Sequence, residues 1–182
     1  ATGTFAKATA AATTTQDVAC ADGATGITFD PKAVILVCGL TTSVASLQAH
    51  GAFSMGLSDG TNEYSGSIYM KDAVVTDQAR DWSLTKALTI LGAGRVTDSE
   101  CDVAMGTGKF TCSWTTNSAN AYPIGYIALG GTDLTNVFAG TGALSTVSTG
   151  NSVTGVGFRP DALLMISFAQ TTETAANNAM IS

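Results

Sequence analysis

The chain has 182 residues, of which 45% are hydrophobic and only 12% charged, with 14 acidic against 8 basic side chains for a net charge of −6. That length fits one domain, or one domain and part of another, and the charged fraction is about half the usual roughly 25%, so solubility must rest on Thr, Ser, Asn and Gly. The acidic balance, and the scattering of Lys7, Lys32, Lys71, Arg80, Lys86, Arg95, Lys109 and Arg159, exclude a nucleic-acid partner, which needs a basic stripe; the longest apolar runs, 33–38 and 162–166, are far short of the roughly 20 residues of a membrane helix, so a soluble chain with no membrane partner is expected.

The first residues, Ala1-Thr-Gly-Thr, carry no basic and then apolar leader. A Thr/Ala-rich stretch follows, with one extended candidate at 4–9, and ends in turn residues around Asp22-Gly23 and Gly26. Residues 33–39 are a short β-branched apolar run between Gly/Pro punctuation, which predicts a buried strand, with Pro31 just before it where a missing N–H does least harm. A polar connection over 41–50 leads to a second strand at 52–57. Asp59-Gly60 then signals a hairpin turn, because a tight turn needs positive φ. The same loop lacks the acidic ladder and trailing Glu of a calcium-binding EF-hand.

Residues 64–70 put Tyr64, Ile68 and Met70 on one parity, so these are expected to face inward from a half-buried strand. Residues 71–81 are the most polar, with room for one helical turn at 76–80. From 82 to 91, Trp82, Leu84, Leu88 and Ile90 alternate with Ser83, Thr85, Ala87 and Thr89, which favours a single strand over a helix. The clearest hairpin follows: Cys101, Val103 and Met105 on one arm, Phe110, Cys112 and Trp114 on the other, joined by Gly106-Thr-Gly108. Residues 122–129 read as a last strand, and 132–150 as a polar link. Short strands with regular turn signals and no long helical pattern predict an all-β, antiparallel β-sandwich of jelly-roll-like kind. Its inner face is expected to include Val34, Leu36, Trp82, Leu84, Cys101, Val103, Phe110, Cys112 and Trp114.

Chemistry-bearing patterns are scarce. The four cysteines lack Cys-x-x-Cys spacing and His50 is the single histidine, which argues against zinc. Cys101 and Cys112 could face each other across the hairpin, but burial as free thiols is the reading favoured. His50 lies in Gln-Ala-His-Gly without a Gly-x-Ser-x-Gly nucleophile turn, so a loop or strand-edge histidine is expected. Gly92-Ala-Gly94, Gly140-Thr-Gly142 and Gly155-Val-Gly157 open no helix after a strand and lack the Lys-Ser/Thr of a phosphate loop. No cofactor is expected. Most aromatics share parity with aliphatic neighbours; Tyr69 and Tyr122 are least tied to such a face and are the candidates for glycan contact.

The sequence repeats itself once. Ile27-Thr-Phe-Asp-Pro-Lys-Ala-Val-Ile-Leu-Val-Cys38 returns as Val156-Gly-Phe-Arg-Pro-Asp-Ala-Leu-Leu-Met-Ile-Ser167, a spacing of 129 (Phe158 less Phe29). That is longer than the about 20–50 residues of solenoid repeats, so the repeating unit is domain-sized. It divides the chain into a β-sandwich module at 1–140 and, at 141–182, a linker with the first strands of an incomplete second copy. Aligned on the first copy, the second has its strand at 162–169. A unit cut after about two strands cannot bury its own apolar face, so Val156, Phe158, Leu163, Met165 and Phe168 are expected to contact a partner. That partner is either the strand's counterpart at 33–39 in the same body or a neighbouring subunit reached by strand addition.

Gly157-Phe-Arg-Pro-Asp-Ala162 with its apolar continuation, the looser Thr28-Phe-Asp-Pro-Lys-Ala33, Ala52-Phe-Ser-Met-Gly56 and Tyr126-Ile-Ala-Leu-Gly-Gly131 resemble a repeated β module of tailed-bacteriophage virion structural proteins. The resemblance covers most of the chain on short apolar motifs. It implies a non-enzymatic component of the extracellular particle, as head decoration, fibre or tail surface protein, whose partners are other copies of itself and other virion proteins. It transfers no catalytic residue. A carbohydrate-binding or adhesion module is the alternative, and a glycan hydrolase on a β-sandwich a third.

Overall fold

The alternating stretches become ten strands: β1 (Thr2–Ala6), β2 (Thr14–Ala19), β3 (Pro31–Gly39), β4 (His50–Ser58), β5 (Glu63–Lys71), β6 (Gln78–Ser83), β7 (Leu88–Leu91), β8 (Thr97–Gly106), β9 (Lys109–Thr116) and β10 (Pro123–Gly130). The structure, a computed structural model, describes residues 1–21, 26, 28–42, 50–73, 78–142, 150 and 152–167. Among these the sole helical element is a 3-10 turn at Ala93–Arg95. Strands β1-β10-β3-β4-β5-β6 form one sheet and β2-β9-β8-β7 the other. All pairings are antiparallel, and the two sheets pack as the expected sandwich. The first strands join the last ones at the pairs β1 on β10 and β2 on β9, while the middle of the chain runs as two meanders, β3 to β6 and β7 to β9.

The turns follow their residues. Gly60 takes φ +84° in the four-residue loop between β4 and β5, where Asp59 Oδ1 accepts from the Thr61 and Asn62 N–H groups at 2.9 and 2.7 Å. Gly108 takes φ +67° between β8 and β9, whose register Gly106↔Lys109 leaves a two-residue connection. That is the length at which positive φ matches strand twist.

The core lies between the sheets. Val34, Leu36 and Ile124 of the first sheet meet Cys101, Phe110, Cys112 and Trp114 of the second, all fully buried, with Val103 nearly so. All four cysteines are buried free thiols, because the alternation that points Cys101 and Cys112 inward surrounds them with apolar side chains. His50 opens β4, half-buried, and accepts through Nδ1 from the Asp72 N–H at 3.2 Å.

Several expectations are corrected. Residues 82–91 are two strands in different sheets: β6 ends at Ser83, the chain crosses the sandwich, and β7 pairs with β8. Leu84 falls in the crossing, 41% exposed, and Trp82 lies half-buried on the outer parity of β6, so neither joins the core. Arg80 and Gln78, placed in a helical turn by the sequence, belong to β6, and the rest of that turn lies outside the described residues. Strand β2 was not anticipated, since Thr14-Thr-Gln-Asp-Val-Ala has little apolar alternation; its pairing with β9 supplies what propensity does not.

The parity of β5 is the reverse of the one expected. Ser65, Ser67 and Tyr69 face the other sheet, and Tyr64, Ile68 and Met70 face outward. The reason is the closeness of β7. A Cβ added to Gly56 of β4 would stand 1.9 Å from the Ala87 carbonyl oxygen, so only small side chains fit here. The inner positions are Ser54, Gly56, Ser58, Ser65 and Ser67, and their hydroxyls are satisfied internally. Ser67 Oγ lies 2.5 Å from Ser54 Oγ, donates to the Thr89 carbonyl at 2.8 Å and accepts from the Leu91 N–H at 3.3 Å; Ser65 Oγ donates to Thr89 Oγ1 at 3.0 Å.

After β10, residues 131–142 run along the end of the sandwich. Gly131 N–H donates to the Asp30 carbonyl at 3.4 Å, Lys32 Nζ donates to the Leu134 carbonyl, and Ala139 N–H donates to Asp59 Oδ2 at 2.8 Å. No strand forms among the described residues of the second repeat copy, 152–167. Both edges of β3 are hydrogen-bonded, to β10 and β4, so the copy has no slot beside its counterpart, and among the described residues it is not inserted there.

Candidate assembly surface

An antiparallel sheet usually buries one face and offers polar residues on the other. The four-stranded sheet does this. Its outward parity carries the Lys109–Asp17 ion pair at 2.5 Å, Thr111 Oγ1 donating to Asp17 at 2.6 Å, the Lys86–Asp102 pair at 2.7 Å and Thr116 Oγ1 donating to Glu100 at 3.4 Å.

The outer face of the six-stranded sheet is apolar. Register places Ile127 beside Ile35, Ile35 beside Leu57 and Leu57 beside Tyr64; the next row runs Gly125, Val37, Met55, Gly66, Trp82, and the next Phe53, Ile68, Arg80. Arg80 is the one charged residue of that parity from β10 across to β6. Phe53 is 45%, Ile127 43%, Leu129 42% and Val37 36% exposed, and Ile35, Met55, Leu57, Tyr64, Ile68, Arg80 and Trp82 are half-buried. Glycines keep the face flat: the missing Cβ of Gly125 would lie 3.0 Å from Val37 Cγ2, and that of Gly51 3.5 Å from Met70 Cε. Five strands of six to nine residues, at about 4.8 Å spacing and about 3.4 Å rise, cover roughly 700 Å², close to the about 800 Å² per partner of a standard interface.

The apolar outer parity recurs in the second repeat copy. Ala33, Ile35 and Val37 of β3 correspond to Ala162, Leu164 and Ile166, and inward Val34 and Leu36 to Leu163 and Met165. Of the residues expected at a subunit contact, Leu163 and Met165 are 76% and 77% exposed, Val156 and Phe158 are half-buried, and Phe168 lies outside the described residues. The sequence reading named the segment but missed the sheet face. The signal was in Ala52-Phe-Ser-Met-Gly-Leu-Ser58, where Ser and Gly hold one parity and Phe, Met and Leu the other.

The glycan candidates are corrected. Tyr69 is fully buried between β7 and the ring of His50, whose centroid is 6.2 Å away. Tyr122 is 5% exposed; its hydroxyl accepts from Asn120 Nδ2 at 2.9 Å and donates to Asp98 at 3.3 Å. Neither ring presents a face to a sugar.

One open cleft of about 330 Å³ brings Glu63, Lys86 and Asp102 together. Glu63 Oε1 accepts from the Val103 N–H at 2.6 Å and from Ser58 Oγ at 3.4 Å, tying the start of β5 to β8. Burial is the main cause that pushes its carboxyl up to about 7, the Val103 bond opposing and Asp102 adding. A second cleft of about 450 Å³ lies between Lys32, Asp59, Met105 and Asn136. Among the described residues no group of three or more His, Cys, Asp or Glu is placed to hold a metal ion, and no helix is long and apolar enough to cross a membrane. The chain matches no protein-family model, no curated protein and no solved structure.

Proposed function

We propose that the chain is a non-enzymatic structural component of a virus particle of the tailed-bacteriophage kind, a head decoration, fibre or tail surface protein, that works through contacts with copies of itself and with other particle proteins. The observation that carries this reading is the flat apolar outer face of the six-stranded sheet. Contiguous apolar patches of more than a few hundred Å² are rare on monomeric proteins and mark interaction surfaces. The occupant is a like module: the face is nearly uncharged, is of interface size, and the repeat keeps the same outer parity apolar at Ala162, Leu164 and Ile166. Two such faces stack as sheets about 10 Å apart, an isologous contact. The polar face of the other sheet stays in water.

Sedimentation velocity over a range of protein concentrations tests the contact. The wild-type chain is expected to self-associate, and Phe53→Asp or Ile127→Asp to return it to monomer with an unchanged β-sheet circular-dichroism spectrum. A chain that stays monomeric at every concentration, or associates as well with both aspartates in place, overturns the sheet-face contact. Particle membership is checked separately, by whether the protein co-sediments with virions and is found in their mass-spectrometric inventory.

A further inference from the structure

Lys7 follows β1 and is only 1% exposed. Its Nζ donates to Asn117 Oδ1 at 2.5 Å, to the Ser118 carbonyl at 2.8 Å and to the Ala8 carbonyl at 3.1 Å, and sits 5.4 Å from the centroid of Trp114 and 5.9 Å from that of Tyr122. Buried lysines are rare unless paired with a carboxylate; the nearest partner of this one is a neutral amide. The amide is held in one orientation: Asn117 Nδ2 donates to the carbonyls of Ala8 and Ala10 at 3.0 and 2.6 Å, which turns Oδ1 toward the amine. A carboxylate stands one hydroxyl away from the pair. Asp98 Oδ2 accepts from Ser99 Oγ at 2.9 Å and from Ser118 Oγ at 2.7 Å, and Ser99 Oγ lies 3.5 Å from Asn117 Oδ1. Tyr122 donates to the other oxygen of Asp98.

We propose that Lys7 and Asn117 join in an intramolecular isopeptide bond, formed by the protein itself, that ties the end of β1 to the connection between β9 and β10. The fold holds the amine against the amide beside the rings of Trp114 and Tyr122, which converts an otherwise bimolecular amide exchange into an oriented internal one. Burial pushes the Lys7 amine below its usual value, with Asp98 opposing, and so favours the neutral nucleophile. The ammonium first loses a proton that passes by way of its own acceptor, Asn117 Oδ1, and the Ser99 hydroxyl to Asp98. The amine lone pair then attacks Cγ of Asn117, and the carbonyl pair moves onto Oδ1, where the Ser99 hydroxyl can donate. On collapse the Cγ–Nδ2 bond breaks. Nδ2 takes the second amine proton and leaves as ammonia, collecting as ammonium the proton Asp98 held, so the carboxylate is regenerated. No oxidant or energy source is needed. The product is a neutral amide where an ammonium was buried, and it closes a loop of 110 residues. This inference is independent of the assembly reading, though a covalent tie suits a chain that must persist outside a cell.

Intact-mass spectrometry of the purified wild-type chain decides the matter. The expected mass is lower than that of the sequence by one ammonia, with fragment ions from a branched peptide joining Lys7 to Asn117. Asn117→Ala and Lys7→Met should both show their full sequence mass, and Asp98→Ala should form the bond far more slowly or not at all. A wild-type chain that keeps its full mass after days at pH 8 overturns the proposal whatever the variants do. So does an ammonia loss that maps to any other residue.

Discussion

Gly56→Ala should be among the most damaging single methyl additions in this protein. Gly56 lies mid-β4, between Leu36 of β3 and Ser65 of β5. Its new Cβ would stand 1.9 Å from the Ala87 carbonyl oxygen and 2.8 Å from both the Ala87 carbonyl carbon and Ser65 Cβ. Reaching the 3.4 Å of ordinary contact requires a movement of 1.5 Å (3.4 less 1.9) between backbones. Neither backbone yields easily: β4 is laddered on both sides, and the fully buried Ala87 donates its N–H to the Cys101 carbonyl at 2.9 Å. Overpacking costs about 1–3 kcal/mol. Parting the sheets here also stretches the Ser65–Thr89 and Ser67–Thr89 hydrogen bonds, at about 1 kcal/mol each. The sum is about 3–5 kcal/mol, a large share of the about 5–15 kcal/mol of a typical domain. Gly125→Ala, on the outer face of the same sheet, is the control: its nearest neighbour is the Val37 methyl at 3.0 Å, with backbone no closer than 3.9 Å, so a cost below about 1 kcal/mol is expected. Urea unfolding of both variants, compared by linear extrapolation, measures the difference. If Gly56→Ala loses no more than Gly125→Ala, the Ala87 backbone does not press on β4 as closely as described and the account of the small-residue inner face is wrong.

Glu63 has a folded pKa of about 7 against an ordinary 4.5, so the native state binds its proton more tightly and stability contributed at low pH is lost as pH rises through that window. Glu63→Gln should flatten this dependence and, at pH 8, stabilise the protein by about 1–2 kcal/mol after discounting for partial solvent screening; a variant as pH-sensitive as wild type between 4.5 and 7 would count against it. Burial raises the pKa of Asp59, but bonds from the N–H groups of Ala139, Asn62 and Thr61 and from the Asn62 side chain outweigh it and hold the group below its ordinary 3.8. Asp59→Ala should therefore cost about 1–2 kcal/mol at neutral pH, speed amide exchange at Ala139, and differ less from wild type as pH falls below 3.8; unchanged exchange at Ala139 would show that the end-strap is held elsewhere. The four thiols should resist a thiol reagent in the native protein and react together on unfolding, since Cys38 is pushed up to about 12 by burial and Cys101 is raised by Cys112 and by burial; rapid native labelling at any of them would contradict the packing described.

The strands were legible where alternation is strict. Cys101, Val103, Phe110, Cys112 and Trp114 face inward as their spacing requires, because a strand's side chains can only alternate, and the Gly108 turn leaves two residues to reverse the chain. Alternation separates two faces without saying which one meets the other sheet. On β5 the greasier parity, Tyr64, Ile68 and Met70, turned out to be the outer one, because the Ala87 backbone comes so near β4 that only Gly and Ser fit between. The same ambiguity hid the assembly surface: its members are spread over five strands and become one patch through register alone. Lys7 and Asn117 are the extreme case. Nothing in a Thr/Ala-rich stretch or a polar loop 110 residues away marks either as special. By itself the sequence determined which segments extend, where the chain turns and that one motif recurs, since these depend on neighbours along the chain. Which face is inside, which polar groups are buried together and which surface is left apolar depended on how closely two sheets approach, and only the tertiary structure settles that distance.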